Sequence, residues 1–256
     1  MEINLPELLA LSEEAARAAG VDILEIYESG DFSVEAKADN SPLTLADKAA
    51  HNRIVSFLEK TGIPILSEEG RSIPYSERKD WEYFWMIDPL DGTKEFIKKN
   101  GEFTVNIALI KGGRPILGVV YPPVLDQMYT AIQGSGSYLD GNKIHVSGKR
   151  LDVPNLKTVA SRSHMSQETE EFLSKLDQPE IVSKGSSLKL LLVASGKADV
   201  YPRFGPTMEW DTAAAHIIAE EAGGQVVHAD LKNPIEYNKE NLLNPFFIVL
   251  GYGQGK

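Results

Sequence analysis

WMIDPLDGTKEF, residues 85–96, sets two aspartates, a proline, a glycine and a threonine directly behind a short apolar run. The spacing predicts a buried strand over residues 83–87 that ends where Asp88 begins a turn, and a helix that starts near Thr93. Pro89 restricts that turn, and Gly92 permits a close backbone approach or an unusual φ. Carboxylates at such a junction usually cap helices or form turns. Here the N–H groups of the following helix would face the same pocket as Asp88 and Asp91, so one stretch offers both metal ligands and anion donors.

The chain on either side of this stretch alternates short strands with amphipathic helices. Residues 63–66 predict another buried strand, running straight into Glu68 and Glu69. Residues 5–19 and 44–60 carry apolar side chains at helical spacing, and between them Phe32, Val34 and Ala36 alternate like a strand before the turn-prone 39–42. Downstream, strands are predicted at 103–110, 116–121 and 127–131, with residues 133–137 as a turn. The later part offers a strand at 158–160, a helix near 166–176 and a helix ending at Gly196. A further helix opened by Asp211 is stopped by Gly223-Gly224, and a last strand lies in PFFIVLGYG. A β-rich first part thus gives way to an α/β second part. This predicts an N-terminal α+β domain over 1–155 and a C-terminal α/β domain over 156–256.

Composition narrows the chemistry. With 42% hydrophobic and 25% charged residues, the 256-residue chain has ordinary globular usage and can bury a sizeable core. A formal charge of −11 and a pI near 5.0 oppose broad binding to a nucleic-acid polymer, which needs a basic footprint. A small anion is still admissible if metal ions and a few cations reverse the field in one cleft. The absence of cysteine excludes disulfides, thiolate metal sites and cysteine nucleophiles. No run approaches the roughly 18 apolar residues of a membrane span, and the first residues lack the marks of a secretory signal. The expectation is a soluble, cytoplasmic protein. Its histidines show no paired helical spacing of the kind that holds zinc.

Carboxylates bind hard cations such as Mg²⁺, which keeps positions open for water and phosphate oxygens. Two such ions can activate a water and stabilise the leaving oxygen of a phosphoryl transfer. Two aspartates are too few, but Glu68, Glu69 and Asp211 extend the set. Each alone has an ordinary reading: a solvated surface pair for the glutamates, a helix cap for Asp211 and a capping hydroxyl for Thr93.

Taken together, Ser67-Glu68-Glu69, then Asp88-Pro89-Leu90-Asp91-Gly92-Thr93, then Trp210-Asp211-Thr212-Ala213-Ala214, spread in this order over nearly the whole chain, resemble a known group. It is the Mg²⁺-dependent, lithium-sensitive phosphatases of the inositol monophosphatase superfamily. The resemblance implies an α/β fold, a layered αβαβα sandwich with its site between the two parts. It implies Glu68, Asp88, Asp91 and Asp211 as side-chain ligands to two or three Mg²⁺ ions, with the Leu90 carbonyl as a further ligand. The backbone around Gly92 and Thr93 would hold the scissile phosphate. Asp47 would pair with the Thr93 hydroxyl to orient or deprotonate a water, and Glu69 would assist a second one.

Within that superfamily, SRSH (161–164), GSSLK (185–189) and YPRFGPT (201–207) are similar to the bacterial CysQ-type 3'(2'),5'-bisphosphate nucleotidases. These remove the 3'-phosphate of adenosine 3',5'-bisphosphate to give AMP and can act on its sulfated precursor. The phosphate that stays behind calls for cations and hydroxyls beyond the metal cluster. Ser186, Ser187, Lys189 and Arg203 are the candidates, with His164 beside the nucleoside. The resemblance also admits peripheral association with the cytoplasmic face of the inner membrane, although no basic amphipathic helix demands it. Two alternatives stand beside this reading: an inositol- or sugar-phosphate phosphatase using the same metal core, and a non-catalytic, metal-dependent nucleotide sensor. The full set Asp47, Glu68, Asp88, Asp91, Thr93 and Asp211 argues against the sensor, because a pure binder needs no water-activating pair.

Overall fold

Helix α1 (Leu5–Ser29) opens on Pro6, whose missing N–H costs nothing in a first turn, and closes on Gly30 at φ +75°. It runs ten residues past the span predicted from periodicity, because Gly20 and Ile23 continue its buried face. The computed structural model describes residues 3–30, 32–36, 42–160 and 165–253. The alternation at Phe32, Val34 and Ala36 yields only β1 (Glu35–Ala36), paired antiparallel with β2 (Pro42–Leu43). Helix α2 (Leu45–Leu58) begins in a capping box: Thr44 Oγ1 accepts from Ala46 N, while Asp47 accepts from Thr44 N.

A seven-stranded sheet follows in simple sequence order: β3 (Ile65–Ser67), β4 (Tyr83–Asp91), β5 (Thr104–Lys111), β6 (Arg114–Tyr121), β7 (Tyr129–Ile132), β8 (Gly136–Leu139) and β9 (Asn142–Ile144). Only the β3–β4 pair is parallel. The short helices α3 (Tyr75–Arg78) and α4 (Thr93–Ile97) flank β4 in sequence. Strand β4 does not stop at Ile87 as predicted; it carries Asp88 through Asp91. Asp88 pairs with Asn106 and Asp91 with Thr104, so one extra residue is accommodated in a bulge. Pro89, which has no N–H to give a ladder, sits in that irregularity. The predicted turn at 133–137 is shorter than expected, since Gly136 already begins β8.

The second sheet has the order β11-β10-β12-β14-β13, built from β10 (Lys157–Val159), β11 (Glu180–Val182), β12 (Val200–Arg203), β13 (Gln225–His228) and β14 (Phe247–Leu250). Its helices are α5 (Gln167–Leu173), α6 (Leu188–Ala194) and α7 (Glu209–Glu221).

Period-two alternation sorts the strands of the first sheet onto two cores. Trp85, Ile87, Ile107, Leu109 and Val119 join Ala16, Ala19, Ala50 and Ile54 of α1 and α2. Phe84, Met86, Ala108, Ile110 and Val120 face the other way, toward Leu191, Ala214 and Ile218 of α6 and α7. Tyr201, Val226, Phe247 and Val249 close that core from the second sheet. On the sheet's far face, Val200, Ile248 and Leu250 pack with Phe172 of α5. The result is five layers, αβαβα, matching the architecture that the resemblance implies. Helix α7 approaches β6 so closely that a Cβ on Gly118 would lie 2.4 Å from Ala214 O. That contact sets the start of α7, and with it Asp211, against the bulged end of β4. No helix among the described residues is long and apolar enough to cross a membrane.

Candidate active site

Three carboxylates converge from separate elements. Glu68 follows β3, its N–H donating to Ile87 O at 3.1 Å. Asp88 sits on the β4 bulge, where its Oδ1 accepts from Leu90 N at 3.1 Å. Asp211 does not open α7 but is its third residue, within the first turn, with Oδ2 accepting from Met208 N at 2.9 Å. One oxygen from each of these three side chains lies within 4.8 Å of the others.

Asp88 is only 2% exposed. Burial, reinforced by the charges of Glu68, Asp91 and Asp211, raises its pKa well above the usual carboxylate range. Burial and Asp91 push Asp211 up to about 8. Like charges this close in a partly dry cleft are unfavourable without a compensating cation, and an all-oxygen donor set suits a hard divalent one. The residues therefore fit a metal ion.

Asp91 stands beside this group rather than within it. Its Oδ2 accepts from Ser187 N at 2.6 Å, lies 2.5 Å from Ser187 Oγ and accepts from Ser186 Oγ at 2.9 Å. Those serines belong to the loop before α6, with Ser186 in the left-handed region at φ +51°. Thr104 and Asn106 of β5, which sequence reasoning missed, complete the lattice. Thr104 Oγ1 is 2.9 Å from Ser186 Oγ, Asn106 Nδ2 donates to Ser187 Oγ at 2.8 Å, and Ser187 Oγ lies 3.0 Å from Asp211 O. Thr104, Asn106 and Ser187 are all buried. The available signal was two polar residues alternating inside the apolar run FTVNIALI.

Asp47 and Thr93 meet as expected. Thr93 Oγ1 lies 3.1 Å from Asp47 Oδ1 and 3.3 Å from Leu90 O. Asp47 Oδ2 is already engaged by Thr44 N at 2.8 Å and Thr44 Oγ1 at 2.5 Å, which fixes the carboxylate. Gly92 holds φ +99°, and a Cβ there would lie 3.0 Å from Glu102 O, so the bend between Asp91 and Thr93 requires glycine. Glu69 is half-buried next to Glu68 and is not one of the three converging carboxylates.

The carboxylates line a cleft of about 360 Å³ together with Leu90, Gly92, Thr93 and Glu95. A neighbouring cleft of about 490 Å³ holds Ser186, Ser187, Lys189, Tyr201 and Arg203. Asp91, Gly92, Glu95 and Asp211 line both, so the two clefts adjoin along a shared wall. Lys189 Nζ donates to Ser186 O at 3.2 Å, and burial lowers its pKa against the opposing pull of Asp91. Arg203 Nη2 donates to Pro206 O at 2.9 Å, while its buried Nε has no hydrogen-bond partner. Both cations lie on the wall of the larger cleft. Lys189, Tyr201 and Arg203 also line a smaller hollow of about 140 Å³ with Thr169 and Phe204. His164 lies outside the described residues.

Residues 4–246 match the model of the inositol monophosphatase family, and the chain belongs to that family. Among its relatives is the 3'(2'),5'-bisphosphate nucleotidase CysQ of Escherichia coli O157:H7, 47% identical over 243 residues, or 93% of this chain and 98% of that protein. The enzyme of the same name from Salmonella typhimurium is 46% identical over the same shares. In three dimensions the chain is similar to CysQ from Bacteroides thetaiotaomicron, with a TM-score of 0.86, 45% identity and 98% of each chain covered. The inositol monophosphatase of Anabaena superposes with a TM-score of 0.77 at 29% identity, covering 98% of this chain and 92% of that one.

Proposed function

We propose that this protein is a metal-dependent 3'(2'),5'-bisphosphate nucleotidase that hydrolyses adenosine 3',5'-bisphosphate to AMP and phosphate. The observation that carries this reading is the adjacency of the two clefts, which share Asp91 and Asp211. An acidic pocket suited to cations adjoins, across Asp91 and Asp211, one furnished with Lys189 and Arg203. A phosphate to be cleaved and a phosphate to be kept need different surroundings, and the two pockets provide them. The sulfated precursor presents the same 3'-phosphate and falls within the same reading.

Glu68, Asp88, Asp91 and Asp211, with the Leu90 carbonyl, are the residues assigned to hold Mg²⁺. When bound, such ions supply a polarised water and neutralise charge on the leaving ribose oxygen. The chain's own groups do the positioning. Thr93 Oγ1 donates to Asp47 Oδ1, which leaves the hydroxyl's lone pairs to accept from an attacking water and draws that water's proton toward the Thr93–Asp47 pair. Thr44 holds Asp47 in the orientation this requires. The 92–93 backbone is assigned to the scissile phosphate and Glu69 to a second water. Ser186, Ser187, Lys189 and Arg203 are assigned to the retained phosphate. His164 remains assigned to the nucleoside, and the enzyme to the cytoplasm.

The test is phosphate release from adenosine 3',5'-bisphosphate, inositol 1-phosphate and fructose 1,6-bisphosphate, each with Mg²⁺ and with a chelator. Mg²⁺-dependent preference for the nucleotide is expected. Preference for either sugar phosphate would overturn the substrate assignment and keep the metal core. No turnover on any of them would overturn the enzymatic reading.

A further inference from the structure

Helix α2 presents two side chains one turn apart on a single face. Asp47 meets Thr93, and His51, four residues on, places Nδ1 2.9 Å from Ser67 Oγ. Ser67 ends β3 and immediately precedes Glu68. The turn that follows is closed by Gly70 N donating to Ser67 O at 3.1 Å. A Cβ on Gly70 would lie 3.2 Å from Ser67 O and 3.7 Å from His51 Cε1, so the imidazole rests against the turn itself.

Beside that turn lies an open cleft of about 450 Å³, bordered by His51, Ser67, Gly70 and Trp81. Close packing, which fixes side chains elsewhere in a protein, is missing on this side. Positional information must then come largely from directed polar contacts, and His51–Ser67 is one that joins the turn to α2. Burial lowers the pKa of His51, so at neutral pH its ring carries one donor and one acceptor nitrogen.

We infer that His51 is a positioning residue for the metal site, holding the 67–70 turn through Ser67 so that Glu68 enters the carboxylate cluster correctly aimed. The inference rests on Glu68 being a metal ligand. It makes α2 the common support of two arms of the site: Asp47 acts on Thr93 directly, and His51 acts on Glu68 through its neighbour.

The experiment is a calorimetric titration of the full chain with Mg²⁺ alone, alongside circular dichroism and Tm, for His51→Ala, His51→Asn, His51→Gln and Ser67→Ala. Asparagine puts an amide where Nδ1 stands, whereas glutamine reaches the Nε2 position. His51→Ala and Ser67→Ala are expected to weaken Mg²⁺ binding roughly tenfold or more, as loss of a ligand's outer partner does. His51→Asn should retain near wild-type affinity, His51→Gln should resemble His51→Ala, and the double alanine variant should be no weaker than either single one. Unchanged affinity in a folded His51→Ala protein would overturn the inference, as would His51→Asn binding no better than His51→Ala. Should His51→Ala not fold, Ser67→Ala decides by the same affinity criterion. A wild-type chain that binds Mg²⁺ but leaves adenosine bisphosphate intact would overturn the nucleotidase reading alone; one that binds no Mg²⁺ would overturn both.

Discussion

Glu68 and Asp88 reach the cleft from the end of β3 and the bulge of β4, with Asp47 of α2 buried against Thr93, whereas Ser186, Ser187, Lys189 and Arg203 come from the loop before α6, α6 itself and the end of β12. The two walls are held in different ways. On the first, key carboxylates are fixed by groups two or three residues away: Thr44 on Asp47 and Leu90 N on Asp88. Asp211, contributed by α7, is held in the same local manner by Met208 N. On the second, the loop is fixed by residues some 80 to 96 positions distant: Asp91 and Asn106 on Ser187, Thr104 on Ser186, and Glu102 on Gly185. The acidic wall makes its own geometry, and the cationic wall is templated by it. Injury to the first should abolish chemistry on every substrate; injury to the second should degrade selection among substrates.

Asp88→Asn is the most severe way to test that division. It should lower Mg²⁺-dependent turnover more than about a hundredfold, beyond what loss of an outer partner costs, and equally for nucleotide and simple phosphate esters. Steady-state rates at saturating Mg²⁺ measure this. Intact turnover would remove Asp88 from the metal site.

Lys189→Ala and Arg203→Ala should behave differently. A lost hydrogen bond to a charged group is worth about 1.5–3 kcal/mol, so each should raise KM for adenosine 3',5'-bisphosphate roughly tenfold to a hundredfold. A phosphate ester with no second phosphate should be hydrolysed nearly as before. Equal losses on both substrates would erase the distinction between the walls.

Metal removal sharpens the comparison from the side of stability. Asp211 has its carboxyl pushed from the ordinary 3.8 up to about 8, and Asp88 is raised in the same direction. A raised carboxyl binds its proton more tightly in the folded chain than in the unfolded one. The associated stability is thus complete below about pH 4 and is lost as pH climbs toward 8. In chelator, Tm should fall between pH 5 and pH 8, on the order of a few degrees. Mg²⁺ should flatten the decline by binding the ionised form, and Asp211→Asn should reduce it. A chelated protein whose Tm rises over this range would contradict the crowding of the acidic wall.

The same asymmetry explains what the sequence made legible. Glu68, Asp88, Asp91 and Thr93 sit in short contiguous motifs, and the bend at Gly92 can be read locally. The two long helices, α1 and α2, announced themselves by apolar period. Thr104 and Asn106 were hidden because two polar residues in a strand carry no motif; their meaning arises only when β5 lies beside Asp91 and receives the 186–187 loop. The continuation of β4 through Pro89 was misread for a related reason. Proline argues against a strand locally, and only the pairing of Asp91 with Thr104 reveals a bulge instead of an end. Strands β11, β12 and β13 were too short for periodicity to register and owe their existence to the sheet they join.

Glu102 offers the finest test, because it lies on the first part of the chain while its carboxylate holds the second wall. Its carboxylate accepts from Gly185 N at 2.7 Å and from Lys184 Nζ at 3.0 Å, clasping the loop that carries Ser186 and Ser187. The ion pair is partly exposed and contributes little by itself, whereas the bond to the Gly185 amide fixes backbone. Glu102→Gln retains an acceptor for that amide and should remain close to wild type. Glu102→Ala frees the loop and should raise KM for the nucleotide by about fivefold, the equivalent of one hydrogen bond of about 1 kcal/mol, with kcat little changed. If Glu102→Ala instead lowered kcat on all substrates alike, the loop would be supporting the metal site through Asp91. The cationic wall would then be part of the acidic one's framework rather than a structure templated upon it.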